Sequence, residues 1–296
     1  MIGRRSLIWG SGTALAFAGL AGRVRRAGAA GMFDGLEAEL ARIEGASGGR
    51  LGVAVLDMQA RTGAGHRADK RFPMCSTFKL LAAAGVLSRV DAGQATLERR
   101  IVFGAHDLVP YSPATEAHTG EPGMTVEELC EASVTLSDNT AANLLLAELG
   151  GPAGLTSFVR TLGDEVTRLD RIEPGLNEAA PGDPRDTTTP AAMLGCIEAL
   201  TLGSALSAPS RDQLVAWLVG NRTGAKRIRA GLPDGWRVGE KTGSGNRGTA
   251  NDVGLFWPPG QPPVLLTVYL TESQLSDDGR SAVIADVART VAARLA

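Results

Sequence analysis

The 296-residue chain is short of several residue types, and each shortage narrows what it can do. Its three histidines, His66, His106 and His118, are widely spaced and form neither an H-x-H nor an H-E-x-x-H pattern. No metal is implied and no cofactor is expected. Its three cysteines, Cys75, Cys130 and Cys196, cannot all pair, so an exported chain would keep at least one free thiol. The formal net charge is only -2 and the one basic cluster is N-terminal, which excludes a polyanion-binding surface and nucleic acid as a partner. Lysine occurs four times, at Lys70, Lys79, Lys226 and Lys241, while arginine supplies nearly all other positive charge. A lysine held in a motif therefore stands apart from the surface charge. There are two tyrosines, so Tyr111 does not belong to a general aromatic core. No internal repeat, low-complexity tract, coiled coil or apolar surface stripe is present, and a monomer is expected. The one extended apolar stretch near the N-terminus, residues 7–22, is interrupted by Gly10, Ser11, Gly12 and Thr13 and is too short and mild for a membrane span.

That stretch has another reading. Arg4 and Arg5 precede it, Arg23, Arg25 and Arg26 follow it, and Ala27-Gly28-Ala29 resembles an A-x-A cleavage site. Residues 1–29 read as a cleavable export signal. The paired arginines favour the twin-arginine route over the general secretory one. A periplasmic protein without membrane contact after cleavage is expected. A chain exported already folded would form its core in the reducing cytoplasm, where buried free thiols are tolerated.

Hydrophobic residues make up 44% of the chain, ample for a full core. Residues 33–44 carry Phe33, Leu36, Leu40 and Ile43 at helical spacing, and residues 51–58 read as a buried strand. Residues 61–65 read as a turn, giving a hairpin. From Ser76 to about Gly203 the pattern is helical. Residues 79–90 are nearly all apolar, as in a helix buried on every side. Thr125-Val126-Glu127-Glu128 is a capping box, and Gly150-Gly151 ends a helix over residues 140–149. Strands return over 236–242, 249–257 and 264–271, and 277–296 forms a last helix. The expected fold is α/β of the layered α+β kind. An antiparallel five-stranded sheet is flanked by N- and C-terminal helices, an all-helical domain is inserted, and the active site lies in the cleft between them. Residues 30–72 and 213–296 make the α/β domain and residues 73–212 the helical one.

Four motifs occur in a fixed order. In Ser76-Thr77-Phe78-Lys79 a serine and a lysine share one helix face, with Pro73 nearby suiting a helix start. A helix N-terminus favours developing negative charge on the serine, and Lys79 acts as a base only if burial and neighbouring charge lower its pKa. Ser-x-x-Lys alone recurs by chance. Ser137-Asp138-Asn139 offers a hydroxyl to relay a proton and an amide to bind a substrate carbonyl, or simply a helix cap. Lys241-Thr242-Gly243-Ser244-Gly245 ends a strand. Lys241 and Thr242 suit a carboxylate there, and the Ser244 N–H pairs with that of Ser76 as an oxyanion hole; the plain alternative is a hairpin turn. Glu173-Pro174-Gly175-Leu176-Asn177 lies in a long irregular segment, residues 168–188, and such loops are usually functional.

Taken together, the set resembles that of class A serine β-lactamases and penicillin-binding proteins, and the likeness to class A β-lactamases runs over about residues 33–296. The resemblance implies hydrolysis of β-lactam antibiotics through an acyl-enzyme on Ser76, and hence resistance. Ser137 protonates the leaving nitrogen, Glu173 and Asn177 hold the deacylating water, and residues 168–188 form an Ω-loop closed by Arg171 and Asp186. Tyr111 matches the aromatic wall of the cleft, Asn139, Thr242, Gly243 and Ser244 its binding groups, and Arg227 an arginine that supports the substrate carboxylate. Cys75 matches one half of a disulfide in class A carbapenemases, but Gly245 stands at the partner position. Cys130 matches a cysteine that is disulfide-bonded in some members of the family, but Ala83 stands at its partner position. Ile172 replaces a frequent aromatic. The alternatives sharing three of the motifs are a D,D-peptidase or penicillin-binding protein, and a penicillin-sensing domain that stays acylated.

Overall fold

A computed structural model describes residues 31–295, so the expected export signal, 1–29, lies outside the described residues. Helix α1 (Leu36–Ser47) leads into strands β1 (Arg50–Asp57) and β2 (Thr62–His66). The helical part follows: β3 (Phe72–Pro73), α2 (Phe78–Asp91), β4 (Arg100–Ile101), β5 (Met124–Thr125), α3 (Val126–Glu131), α4 (Asn139–Leu149), α5 (Gly151–Thr161), β6 (Thr187–Thr188), α6 (Pro190–Thr201) and α7 (Ala208–Val219). The short α8 (Ile228–Gly231) precedes β7 (Arg237–Gly245), β8 (Thr249–Trp257), β9 (Val264–Thr271) and α9 (Asp277–Ala292).

Five strands form one antiparallel sheet in the order β2-β1-β9-β8-β7, with both ends of the chain contributing, as expected. Side-chain alternation divides it into two cores. On one face Val53, Val55, Leu266, Val268 and Leu270 pack with Leu36 and Leu40 of α1 and Ile284 and Val287 of α9. On the other Ala54, Leu265, Val253 and Tyr269 pack with the helical part. Helix α2 runs through its middle with Phe78 to Leu87 all buried, the burial its apolar sequence requires. The capping box forms as read: Thr125 Oγ1 accepts from Glu128 N, and the Glu128 carboxylate accepts from Thr125 N. Gly150 ends α4 in the left-handed conformation. Helix α7 straddles residue 212 and packs on both α2 and β7.

Three local expectations need correction. The glycine-rich residues 62–66 are strand β2, not a turn. A Cβ on Gly63 would lie 2.9 Å from Val55 O, and one on Gly65 2.6 Å from Val53 O, so glycine allows close pairing. The turn sits just before, where Asp57 accepts from Gln59 N and Ala60 N. Pro73 does not start a helix; it pairs with Thr187 in the small ribbon β3–β6. Strand β7 continues past Thr242 to Gly245, because every residue of Lys241–Gly245 is in register with β8.

Candidate active site

The site is assembled where β7, the start of α2, the start of α4 and the 168–188 loop converge. Cys75 takes φ 45° and opens a tight turn, Cys75–Thr77, that feeds α2. Strand β8 pins this turn: Asn251 Nδ2 donates to Pro73 O at 2.9 Å and Met74 O at 3.0 Å. Strand β7 runs against it so closely that a Cβ on Gly243 would meet Met74 O at 2.8 Å and Ser76 N at 3.2 Å. Glycine at 243 therefore brings the backbone stretches carrying Ser76 and Ser244 side by side. A Cβ on Gly245 would sit 2.5 Å from Cys75 Sγ. The thiol thus packs where a disulfide partner would stand; all three cysteines are free and buried.

Lys79, one turn along α2, is wholly buried. Its ammonium donates to Asn139 Oδ1 at 2.6 Å and Ser137 O at 2.8 Å, and lies 3.1 Å from Glu173 Oε1. Glu173 Oε1 also accepts from Ser76 Oγ at 3.2 Å, and Asn177 Nδ2 donates to its other oxygen. Burial lowers the pKa of Lys79, opposed by the Glu173 carboxylate. Lys241 is equally buried and donates to Ser137 Oγ at 3.1 Å and Thr242 O at 2.9 Å. Burial first, then the neighbouring Lys79 cation, push it well below the usual lysine range. The Ser137 hydroxyl thus stands between two desolvated ammonium groups, a route for a proton.

The Ser-Asp-Asn motif divides its duties. Ser137 adopts φ 60° after a π-turn, Ala132–Leu136. Asp138 is the α4 cap, accepting from Ala141 N at 2.8 Å, and also binds Ala114 N and Thr115 N. Ser137 and Asn139 on either side are left for the cleft, so cap and site coexist. Asn139 Nδ2 donates to Pro110 O, and Asn139 N to the carbonyl of Tyr111, whose side chain is 60% exposed.

Arg227 lies across the end of the sheet, donating to Gly243 O at 2.8 Å, Asn251 O at 2.7 Å and Ser244 Oγ at 2.6 Å. Burial lowers its pKa from the ordinary arginine value. The loop is closed by Arg171 Nε donating to Asp186 Oδ2 at 2.6 Å, and Asn246 N ties its inner edge to β7–β8 through Asn177 O at 2.9 Å.

Ser76, Lys79, Ser137, Asn139, Glu173, Asn177 and Lys241 thus meet in one place. Arg227 and Ser244 border it along β7, Tyr111 joins through its backbone with its side chain exposed, and the structure adds three residues. Asn143 exchanges hydrogen bonds with the Glu173 backbone, Nδ2 to O at 3.0 Å and Oδ1 from N at 2.9 Å. It lies one turn after Asn139 on α4, a spacing that offered a signal. Thr223 Oγ1 meets Thr242 Oγ1 at 2.5 Å, and Asn251 holds the Cys75–Thr77 turn; neither belongs to a motif in the sequence.

The chain is similar to known proteins over most of its length. Residues 35–295 match the Beta-lactamase enzyme family. The chain is 49% identical over 256 residues to β-lactamase CTX-M-8 of Citrobacter amalonaticus, covering 86% of this chain and 88% of that one. It is 51% identical over 251 residues to β-lactamase AST-1 of Nocardia asteroides, covering 85% and 81%. Among solved structures, an ancestral class A β-lactamase is 65% identical with a TM-score of 0.85, covering 86% of this chain and 98% of that one. A putative class A β-lactamase, PenP of Rhodopseudomonas palustris, is 60% identical with a TM-score of 0.86, covering 88% and 99%.

Proposed function

The chain belongs to the β-lactamase enzyme family, class A, and from that premise we propose which of its residues carry out each step. It hydrolyses the amide bond of β-lactam antibiotics through a serine acyl-enzyme and so gives resistance. Ser76 Oγ attacks the lactam carbonyl, and the N–H groups of Ser76 and Ser244 hold the oxyanion. Ser137 passes a proton to the ring nitrogen, drawing on the lysines either side. The Arg227 guanidinium, Thr242 and Lys241 receive the substrate carboxylate. Asn139 binds the acyl-side amide, and Tyr111 flanks the ring. Glu173 and Asn177 then orient the water that frees the acyl group.

The observation that carries this reading is the Glu173 carboxylate. One oxygen hydrogen-bonds Ser76 Oγ at 3.2 Å and the other the Asn177 amide. A base at that spot reaches a water attacking the Ser76 ester. A D,D-peptidase or a sensor would need neither residue in this setting. The reading also includes export to the periplasm by residues 1–29, a monomeric mature chain, and residues 73–212 acting as one domain against 30–72 and 213–296. Among the described residues no helix is long and apolar enough to cross a membrane. A stopped-flow trace with a chromogenic cephalosporin in large excess tests the function. Sustained turnover is expected; one product per protein followed by silence would move the protein to the penicillin-binding or sensing class.

A further inference from the structure

Two acids have no part in the reaction above, yet both are fully buried beneath it: Glu240 on β7 and Asp252 on β8. The register sets Glu240 opposite Gly254 and Thr242 opposite Asp252, so Glu240 and Asp252 are diagonal neighbours on one sheet face. It is the face opposite that of Lys241. The chain leaves room for them: a Cβ on Gly224 would lie 2.1 Å from Glu240 Oε1.

Their four oxygens divide into two kinds. Glu240 Oε1 accepts from Arg229 Nε at 3.0 Å, and Asp252 Oδ2 accepts from Ile228 N at 3.0 Å. Glu240 Oε2 and Asp252 Oδ1 are buried without any donor among the described residues. The register makes the two carboxyl groups diagonal neighbours, and each keeps one buried oxygen with no donor among the described residues. Two ionised carboxylates have no hydrogen to share, whereas one proton held between them would give both unpartnered oxygens a bond. We propose that Glu240 and Asp252 share one proton and act as a clamp that fixes the Arg227-Ile228-Arg229 segment on the sheet, positioning Arg227 for the substrate carboxylate. The two acids are positioning residues that touch no substrate.

The charges around the pair fit one negative charge rather than two. Arg229 bonds Glu240 directly, Arg227 stands two residues before Arg229, Lys241 lies on the opposite face of the sheet, and Arg280 of α9 lies toward Arg227. Burial, then the Asp252 carboxylate, push the Glu240 carboxyl up to about 9, so the proton stays through neutral pH. Above that range two bare carboxylates would repel and loosen the hold on Ile228 N and Arg229.

This inference rests on the reading that Arg227 supports the substrate carboxylate, and the test separates the two. Infrared spectra of the full protein at pH 7 should contain the carbonyl band of a protonated carboxylic acid. The band should vanish in Glu240→Gln and in Asp252→Asn, and fade in the wild type as pH rises through about 9. In steady-state kinetics with a penicillin, Glu240→Ala should raise KM about tenfold with kcat changed by less than about twofold. Glu240→Gln, which keeps a donor toward Asp252 and an acceptor toward Arg229, should restore KM. A wild-type spectrum without the band, or one unchanged in both conservative variants, overturns the shared proton even if Glu240→Ala does not fold. A fall in kcat at constant KM overturns action through Arg227. If Arg227→Ala itself leaves KM unchanged, the carboxylate reading and the positioning role fall together, and the infrared band still decides the shared proton.

Discussion

The neck of the Ω-loop and the catalytic centre are built from the same kinds of charged groups and end in opposite states. At the neck every charge is saturated. Asp186 Oδ1 accepts from Asp170 N at 2.8 Å and Arg171 N at 2.9 Å, its Oδ2 from Arg171 Nε at 2.6 Å, and Asp170 answers with a bond from Asp186 N. Such a carboxylate has its preferred partners and no reason to change them. At the centre two ammonium groups are desolvated and depressed in pKa, and one Ser137 hydroxyl serves both. Asn177 Oδ1 is buried with no donor among the described residues. Where polar groups are satisfied the molecule is held together; where they compete or wait, protons can move.

Substitutions should separate these regions. The largest effect belongs to the centre. Ser76→Ala should cut turnover by at least about a thousandfold, with little change in Tm, because a nucleophile is lost and no packing is. Steady-state rates with thermal unfolding of the same sample check both halves. Asp186→Ala should act the other way. Losing a buried partner of Arg171 and two backbone amides should cost about 2–4 kcal/mol in denaturant unfolding, and impair deacylation more than acylation as the loop loosens. A smaller effect is expected for Arg227→Lys, whose single ammonium cannot span Gly243 O, Asn251 O and Ser244 Oγ together; KM should rise about tenfold with kcat nearly kept.

The smallest effect on activity belongs to a third carboxylate, far from both. Burial raises the Glu44 pKa, but bonds from Arg67, Leu51 N and His66 outweigh it and hold the group down to about 2. A depressed acid stabilises the fold fully above its unfolded pKa of about 4.5, and that stability is lost as pH falls toward 2. The contribution is about 3 kcal/mol. Glu44→Gln should leave kcat at pH 7 unchanged and flatten the loss of Tm between pH 4.5 and 2.

The difference between the regions also explains what the sequence disclosed. Core strands and α2 were legible because unbroken apolar runs leave few alternatives. The site was legible as motifs, since Ser76 with Lys79 and Ser137 with Asn139 are local spacings. What stayed hidden depends on pairing across the chain. Glycines 63 and 65 read as a turn because their role is to let β2 approach β1. Gly243 and Gly245 likewise stand where Met74 O and Cys75 Sγ come close. Asn251 acts on residues more than 170 positions away, and Glu240 finds Asp252 only through the β7–β8 register.

The most direct test of the account is mass spectrometry of Glu173→Ala mixed with a penicillin. If Glu173 prepares the deacylating water, the variant should acylate, and protein bearing one intact acyl group on Ser76 should accumulate and persist. Rapid turnover with no accumulated adduct would contradict the role given to Glu173 and, with it, the division between acylation and hydrolysis drawn here.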